Sequence, residues 1–164
     1  VTRVRAEASR EKFSGLYARG EHEGEPVVLL MPQTFMNDSG RSVQPAAAFF
    51  KAEPKQILVV HDELDLPFGE LRLKFGGGHA GHNGLRSIIS SLGTADFGRL
   101  RFGIGRPPAD FRGAVADFVL SSFDAIERAS MPELLRQAQE SVLDVAARGF
   151  TAATQVRNTR TKPR

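Results

Sequence analysis

The chain of 164 residues has 41% hydrophobic and 25% charged side chains and a formal net charge of +3. That length suits one ordinary domain rather than a two-domain enzyme, and the composition excludes a disordered, collagenous or coiled-coil protein. With no cysteine, disulfides, thiolate metal sites and a cysteine nucleophile are ruled out. The longest apolar run is strand-sized, far short of the roughly 20 residues of a membrane span.

Residues 1–12 (VTRVRAEASREK) are charged throughout, lack the apolar stretch of a secretory signal and read as the exposed end of a helix. Residues 14–19 and 26–31 read as two strands of a hairpin joined by the polar turn at 20–24, the second nearly all apolar and therefore expected to be buried. A helix is expected from Ser39 and Gly40 to about Lys51, with Val43, Ala46, Ala47 and Phe50 along one face. Residues 57–60 form a short apolar strand that runs into His61, Asp62, Glu63 and Asp65, and polar groups at the end of such a strand are where α/β sheets place chemistry.

Residues 70–75 alternate apolar and polar, as a strand with one solvated face does. A glycine cluster follows, then a helix over about 84–92 and a strand over 99–105. Ser130, Pro132 and Glu133 read as a capping box that opens a helix carrying Leu134, Leu135, Ala138, Val142 and Val145 inward and stopping before Gly149. The small, basic tail at 150–164 is expected to be mobile at its end. Alternation of strands and helices predicts a single α/β domain over 1–164, a mixed twisted sheet flanked by helices.

Charge is distributed unevenly. From Arg72 to Arg106 there are six basic residues against one acid, and from Arg148 to Arg164 five against none, on either side of a segment from Asp117 to Asp144 with six acids and two arginines. Clustered Lys and Arg is the electrostatic footprint of a polyanionic partner, as well as of an ordinary solvated surface.

Gly76, Gly78 and Gly81 fit the G-x-G-x-x-G spacing of a dinucleotide fingerprint. The context does not: the preceding strand is amphipathic rather than buried, and Asp96 precedes the next strand instead of ending it. No Lys-Ser/Thr follows to make a phosphate loop. What remains is a loop whose backbone can approach a ligand closely, leading into a helix N-terminus that favours anions, or simply a glycine-rich turn. His61, His79 and His82 could ligate a metal, although two loop histidines without a second close pair are a weak signal. Asp62 either caps or pairs locally, or accepts Nδ1–H from a histidine and raises its basicity, an arrangement that activates water against an ester. Phe35, Met36 and Asn37 are either core and cap, or an apolar pair beside an amide able to grip a peptide or sugar.

Taken together these residues resemble a known family. Residues 32–40 (PQTFMNDSG), 61–67 (HDELDLP), 76–85 (GGGHAGHNGL) and 99–105 (RLRFGIG) occur in the order and approximate spacing of bacterial peptidyl-tRNA hydrolases, and the likeness runs from about Lys12 to Asn158. It implies a peptidyl-tRNA hydrolase-like fold and a cytoplasmic, monomeric esterase. Its reaction would cut the bond between a nascent peptide and the terminal ribose of tRNA without cofactor or metal. Asp62 would stabilise the basic form of a catalytic histidine, and Asn83 would bind near the attacked carbonyl. Phe35, Met36, Asn37 and His82 would line the cleft, and Lys74, Arg86 and Arg101 would meet tRNA phosphates.

The family's opening strand, its G-x-G-N-P-G turn and the T-R-H-N that supplies the histidine do not appear in the 164 residues. His22 lies in an acidic hairpin turn and His82 belongs to another family position, so neither replaces it. The reading from sequence is therefore an N-terminally incomplete member, lacking a strand, a helix and Asp62's partner, and inactive or impaired. The alternatives are a non-catalytic RNA-binding member of the same fold and, from another class, a metal-dependent hydrolase using His61, His79 and His82.

Overall fold

A computed structural model describes residues 5–160. Lys162 and Arg164, counted in the basic tail, lie outside the described residues, as does Val1. The described strands are β1 (Arg5–Ala6), β2 (Arg10–Lys12), β3 (Gly15–His22), β4 (Glu25–Pro32), β5 (Leu58–Glu63), β6 (Leu71–Phe75) and β7 (Gly98–Gly103). The helices are α1 (Gly40–Phe49), α2 (Asn83–Leu92), α3 (Val115–Val119), α4 (Ala125–Arg148) and α5 (Phe150–Arg160), with short 3-10 turns at Met36–Asp38 and Pro54–Gln56. The fold is α/β. The chain divides into two compact units, Val1–Leu58 with Phe75–Gly98 and Ala146–Arg148, and Val59–Lys74 with Arg99–Val145 and Gly149–Arg164.

In the first unit β3 pairs antiparallel with β1, β2 and β4. The β3–β4 hairpin turns on two residues, Glu23 and Gly24, both at positive φ (49° and 82°), as the type I′ turn that suits strand twist requires. The charged start is strand where the sequence suggested a helix end: Arg10, Glu11 and Lys12 lie opposite Tyr17, Leu16 and Gly15. Pairing with β3 overrides the local helical preference of these residues. The expectation of a buried β4 also fails. Among the described residues it pairs with β3 alone, and Val28, Leu29 and Met31 are 38%, 44% and 57% exposed. Helix α1 meets α2 through small groups: the Gly40 amide donates to Ser87 Oγ at 2.9 Å, and Ser42 and Ala46 are buried.

The other sheet has the order β5-β7-β6. Backbone bonds from Gly98 to Ile57 and from Ile104 to Glu63 advance together along both strands, so β5 and β7 run parallel. Those joining Gly76 to Phe97 and Gly103 to Glu70 run in opposite senses, so β6 and β7 are antiparallel. The sheet is mixed. Leu71, Leu73 and Leu100 pack on its covered positions.

Helix α4 begins earlier than expected. Asp124 is its cap, with Asp124 Oδ1 accepting from the Glu127 amide at 2.8 Å and Glu127 Oε1 from the Asp124 amide at 3.1 Å. This capping box precedes the one read at Ser130, whose hydroxyl bonds back to the Ile126 carbonyl at 3.2 Å. Pro132 lies inside the helix, where it removes one backbone hydrogen bond without ending it. Leu134, Ala138, Ser141 and Leu143 face inward, whereas Leu135, expected there, is 56% exposed. In the tail, residues 150–160 form helix α5, with Ala153 fully buried, and the end expected to be mobile lies outside the described residues. Among the described residues no helix is long and apolar enough to cross a membrane.

Candidate active site

In the first unit two of the motifs meet. The Met36–Asp38 turn leaves Phe35 85% and Met36 54% exposed, with Asn37 exposed beside them. The Ser39 hydroxyl holds this turn by donating to the Met36 carbonyl at 2.7 Å. Helix α2 opens at Asn83, capped by His82, whose Nδ1 accepts from the Leu85 amide at 3.2 Å. Gly84 is where the two pieces touch. A Cβ there would lie 2.7 Å from Met36 Sδ and 2.9 Å from His82 Cε1, closer than packed atoms allow, so a side chain at residue 84 would have to displace Met36 or His82. Asn83 and Arg86 are exposed on this first turn, where the helix dipole favours an anion or a developing negative charge. The structure thus brings the Met36–Asp38 turn against the start of α2, with Met36 beside His82.

The hydrogen bonds fix the histidine tautomers. His82 Nδ1 accepts from Leu85, and His79 Nδ1 accepts from the Gly81 amide at 3.0 Å. Each therefore carries its proton on Nε2 when neutral. His61, buried on β5, has Nδ1 2.7 Å from the Asp62 carbonyl; a carbonyl only accepts, so Nδ1 is the protonated nitrogen. Among the described residues no group of three His, Cys, Asp or Glu side chains is placed to hold a metal ion.

In the second unit Asp62 is half-buried on β5. Strand alternation turns it to the face opposite His61 and Glu63. Lys74 is exposed at the end of β6. Arg101 is less open than a phosphate-binding residue would suggest: its side chain is 25% exposed, its Nε is buried without a hydrogen-bond partner among the described residues, and its Nη1 lies 3.9 Å from Glu63 Oε1. Arg99 shares that strand face and is only 2% exposed. Burial, and then the charge of Arg101, lower its proton affinity from the usual arginine value. Beyond these, Asp65 pairs with Arg106, whose Nε donates at 3.0 Å. Gly84, Glu63 and Arg99 were given no role from sequence, although each lies inside a motif already noted.

Comparison with known proteins places this architecture among carboxylic-ester hydrolases of α/β fold. The crystal structure of peptidyl-tRNA hydrolase from Acinetobacter baumannii is similar with a TM-score of 0.82 at 39% identity, over 94% of this chain and 77% of that one. A peptidyl-tRNA hydrolase of Sorangium cellulosum (strain So ce56) is 69% identical over 160 residues, 98% of this chain and 72% of the relative. One from Mycolicibacterium vanbaalenii is 47% identical over 159 residues, 93% and 82% of the two chains. The family pattern described as peptidyl-tRNA hydrolase matches residues 1–164. The chain belongs to the peptidyl-tRNA hydrolase family. That match gives no support to the expectation of an impaired member.

Proposed function

We propose that the protein hydrolyses the ester between a peptide and the 3′-terminal ribose of tRNA, returning tRNA from aborted translation in the cytoplasm. It would act as a monomer without a metal. The observation that carries this reading is the packing of Met36 against Gly84 and His82, which sets an exposed aromatic ring and two amides, Asn37 and Asn83, around the start of α2. Phe35 offers a face on which a base or an apolar peptide side chain stacks. Asn37 and Met36 contact the 3′ end or the peptide, and Asn83, with the α2 amides, steadies the carbonyl under attack.

As the family likeness implies, Asp62 would accept the Nδ1–H of the histidine of the family's T-R-H-N segment, which does not occur among the 164 residues, leaving Nε2 to take a proton from water. The water oxygen bonds to the carbonyl carbon and the carbon–ribose oxygen bond breaks. The proton then passes to the ribose oxygen, giving a peptide carboxylate and free tRNA. Lys74, Arg86 and Arg101 meet the phosphates, the sequence-independent part of binding.

The direct test is release of N-acetylated amino acid from N-blocked aminoacyl-tRNA. Cleavage that Asp62→Asn and Asn83→Ala each suppress supports the reading. Salt-sensitive tRNA binding with no cleavage would instead mark an RNA-binding member of the fold, and cleavage abolished by a chelator would mark a metal-dependent hydrolase.

A further inference from the structure

Among the described residues strand β6 is an edge strand of its sheet, and such a strand has a row of backbone groups with no neighbouring strand to bond. At its centre a side chain takes the missing strand's place. Asn158, on α5, accepts from the Leu73 amide through Oδ1 at 3.0 Å and donates to the Leu73 carbonyl through Nδ2 at 2.9 Å. A primary carboxamide presents the same donor and acceptor as a peptide group, so this is one rung of ladder supplied by a side chain. A third bond runs from Arg72 Nη1 to the Asn158 carbonyl at 3.2 Å, and Arg72 is itself held by Glu70 at 2.8 Å.

The helix bearing Asn158 is anchored independently. Arg157 reaches Asp144 at 2.5 Å and Glu140 at 3.1 Å on α4 while only 18% exposed, and Ala153 is fully buried. Asn158 thus joins a fixed helix to the middle of a strand whose next residue is Lys74. Edge-strand ends fray at little cost unless tied. A clamp one residue away holds the backbone from which the Lys74 ammonium reaches a phosphate.

We propose that Asn158 is a positioning residue for tRNA binding, tying β6 so that Lys74 is presented from a fixed backbone; this rests on the tRNA reading above. Three readouts test it in the full chain. Asn158→Ala should speed amide exchange at Leu73 and Lys74, and unchanged exchange would overturn the clamp. It should raise KM for N-blocked aminoacyl-tRNA about three- to tenfold, the weight of one or two hydrogen bonds, with kcat within about twofold. In a Lys74→Ala background it should add nothing further to KM, whereas an additive effect, or a fall in kcat matching the rise in KM, would show a merely structural role. Asn158→Asp, which keeps the acceptor for the Leu73 amide and loses the donor, should fall between. If the unmutated protein cleaved no ester, the tRNA reading would fail, while amide exchange would still decide the clamp.

Discussion

The turn of residues 35–38 with the start of α2, and the strand residues Asp62, Glu63 and Arg101, prepare polar groups for a ligand in opposite ways. The first relies on shape: Gly84 lets Met36 and His82 close in, and Phe35, Asn37 and Asn83 are left open to solvent. The second relies on charge held in part by the protein itself, with Arg101 beside Glu63 and Arg106 on Asp65. An exposed, geometry-built site keeps its groups ready for a ligand and fails when its backbone shifts. A charge-built site stays in place but must give up internal partners before it meets new ones.

The largest effect should come from the charged side. Asp62→Asn should lower kcat by about 10³- to 10⁴-fold, the scale of losing the carboxylate that sets a catalytic histidine's tautomer, with tRNA affinity unchanged. Single-turnover cleavage alongside equilibrium binding checks both parts, and a parallel loss of affinity would remove Asp62 from catalysis. On the shape side, Gly84→Ala should destabilise the fold by about 1–3 kcal/mol, as overpacking does. Activity should fall further than stability at a temperature where the variant is folded. Met36→Ala added to it should recover part of that loss, because it removes the sulfur the new methyl would strike. Without such recovery, the contact at 2.7 Å would not be what requires glycine.

How much of this was legible in the sequence follows the same division. The hairpin, α2 and the glycine loop are set by local chemistry: a two-residue turn with Gly24, and Gly93 in the left-handed conformation (φ 75°) ending α2. Such features are read from neighbouring residues. Helix α5 was missed because residues 150–160 are small and polar, and one of its attachments, Asn158 to Leu73, spans 85 positions. The exposed face of β4 was missed for a related reason, since an apolar run reports a capacity for burial and not whether another element arrives to cover it. The motif residues were all recognisable. Sequence could not show that Arg101 leans toward Glu63, nor that Met36 and His82 share one empty Cβ position.

Arg101 gives a smaller effect that sharpens the contrast. Removing its acid by Glu63→Gln should tighten tRNA binding about two- to fivefold at low salt, since a half-buried partner no longer competes with phosphate. Lys74→Ala and Arg101→Ala should each lower the slope of log K against log salt by about one unit. If Glu63→Gln left both affinity and slope unchanged, Arg101 would be a structural arginine like Arg99.

The smallest effect belongs to a pair outside both regions. Glu133 on α4 is held down to about 2, first by the hydrogen bond from Arg136 (2.5 Å) and then by that from Gln137 (3.1 Å). A depressed carboxylate stabilises the fold in full above the ordinary glutamate value of 4.5 and loses that contribution as pH falls through about 2. The pair is exposed and screened, so its weight is small. Arg136→Ala should return Glu133 toward 4.5, read by NMR titration of its carboxyl carbon, and lower the melting temperature slightly at pH 6. That difference should close between pH 5 and pH 2. Ester cleavage should be unchanged at neutral pH, because an exposed ion pair with short bonds fixes a titration without fixing a site. The Arg101–Glu63 pair has the looser geometry at 3.9 Å, and its half-burial on strands is what lets its rearrangement affect binding.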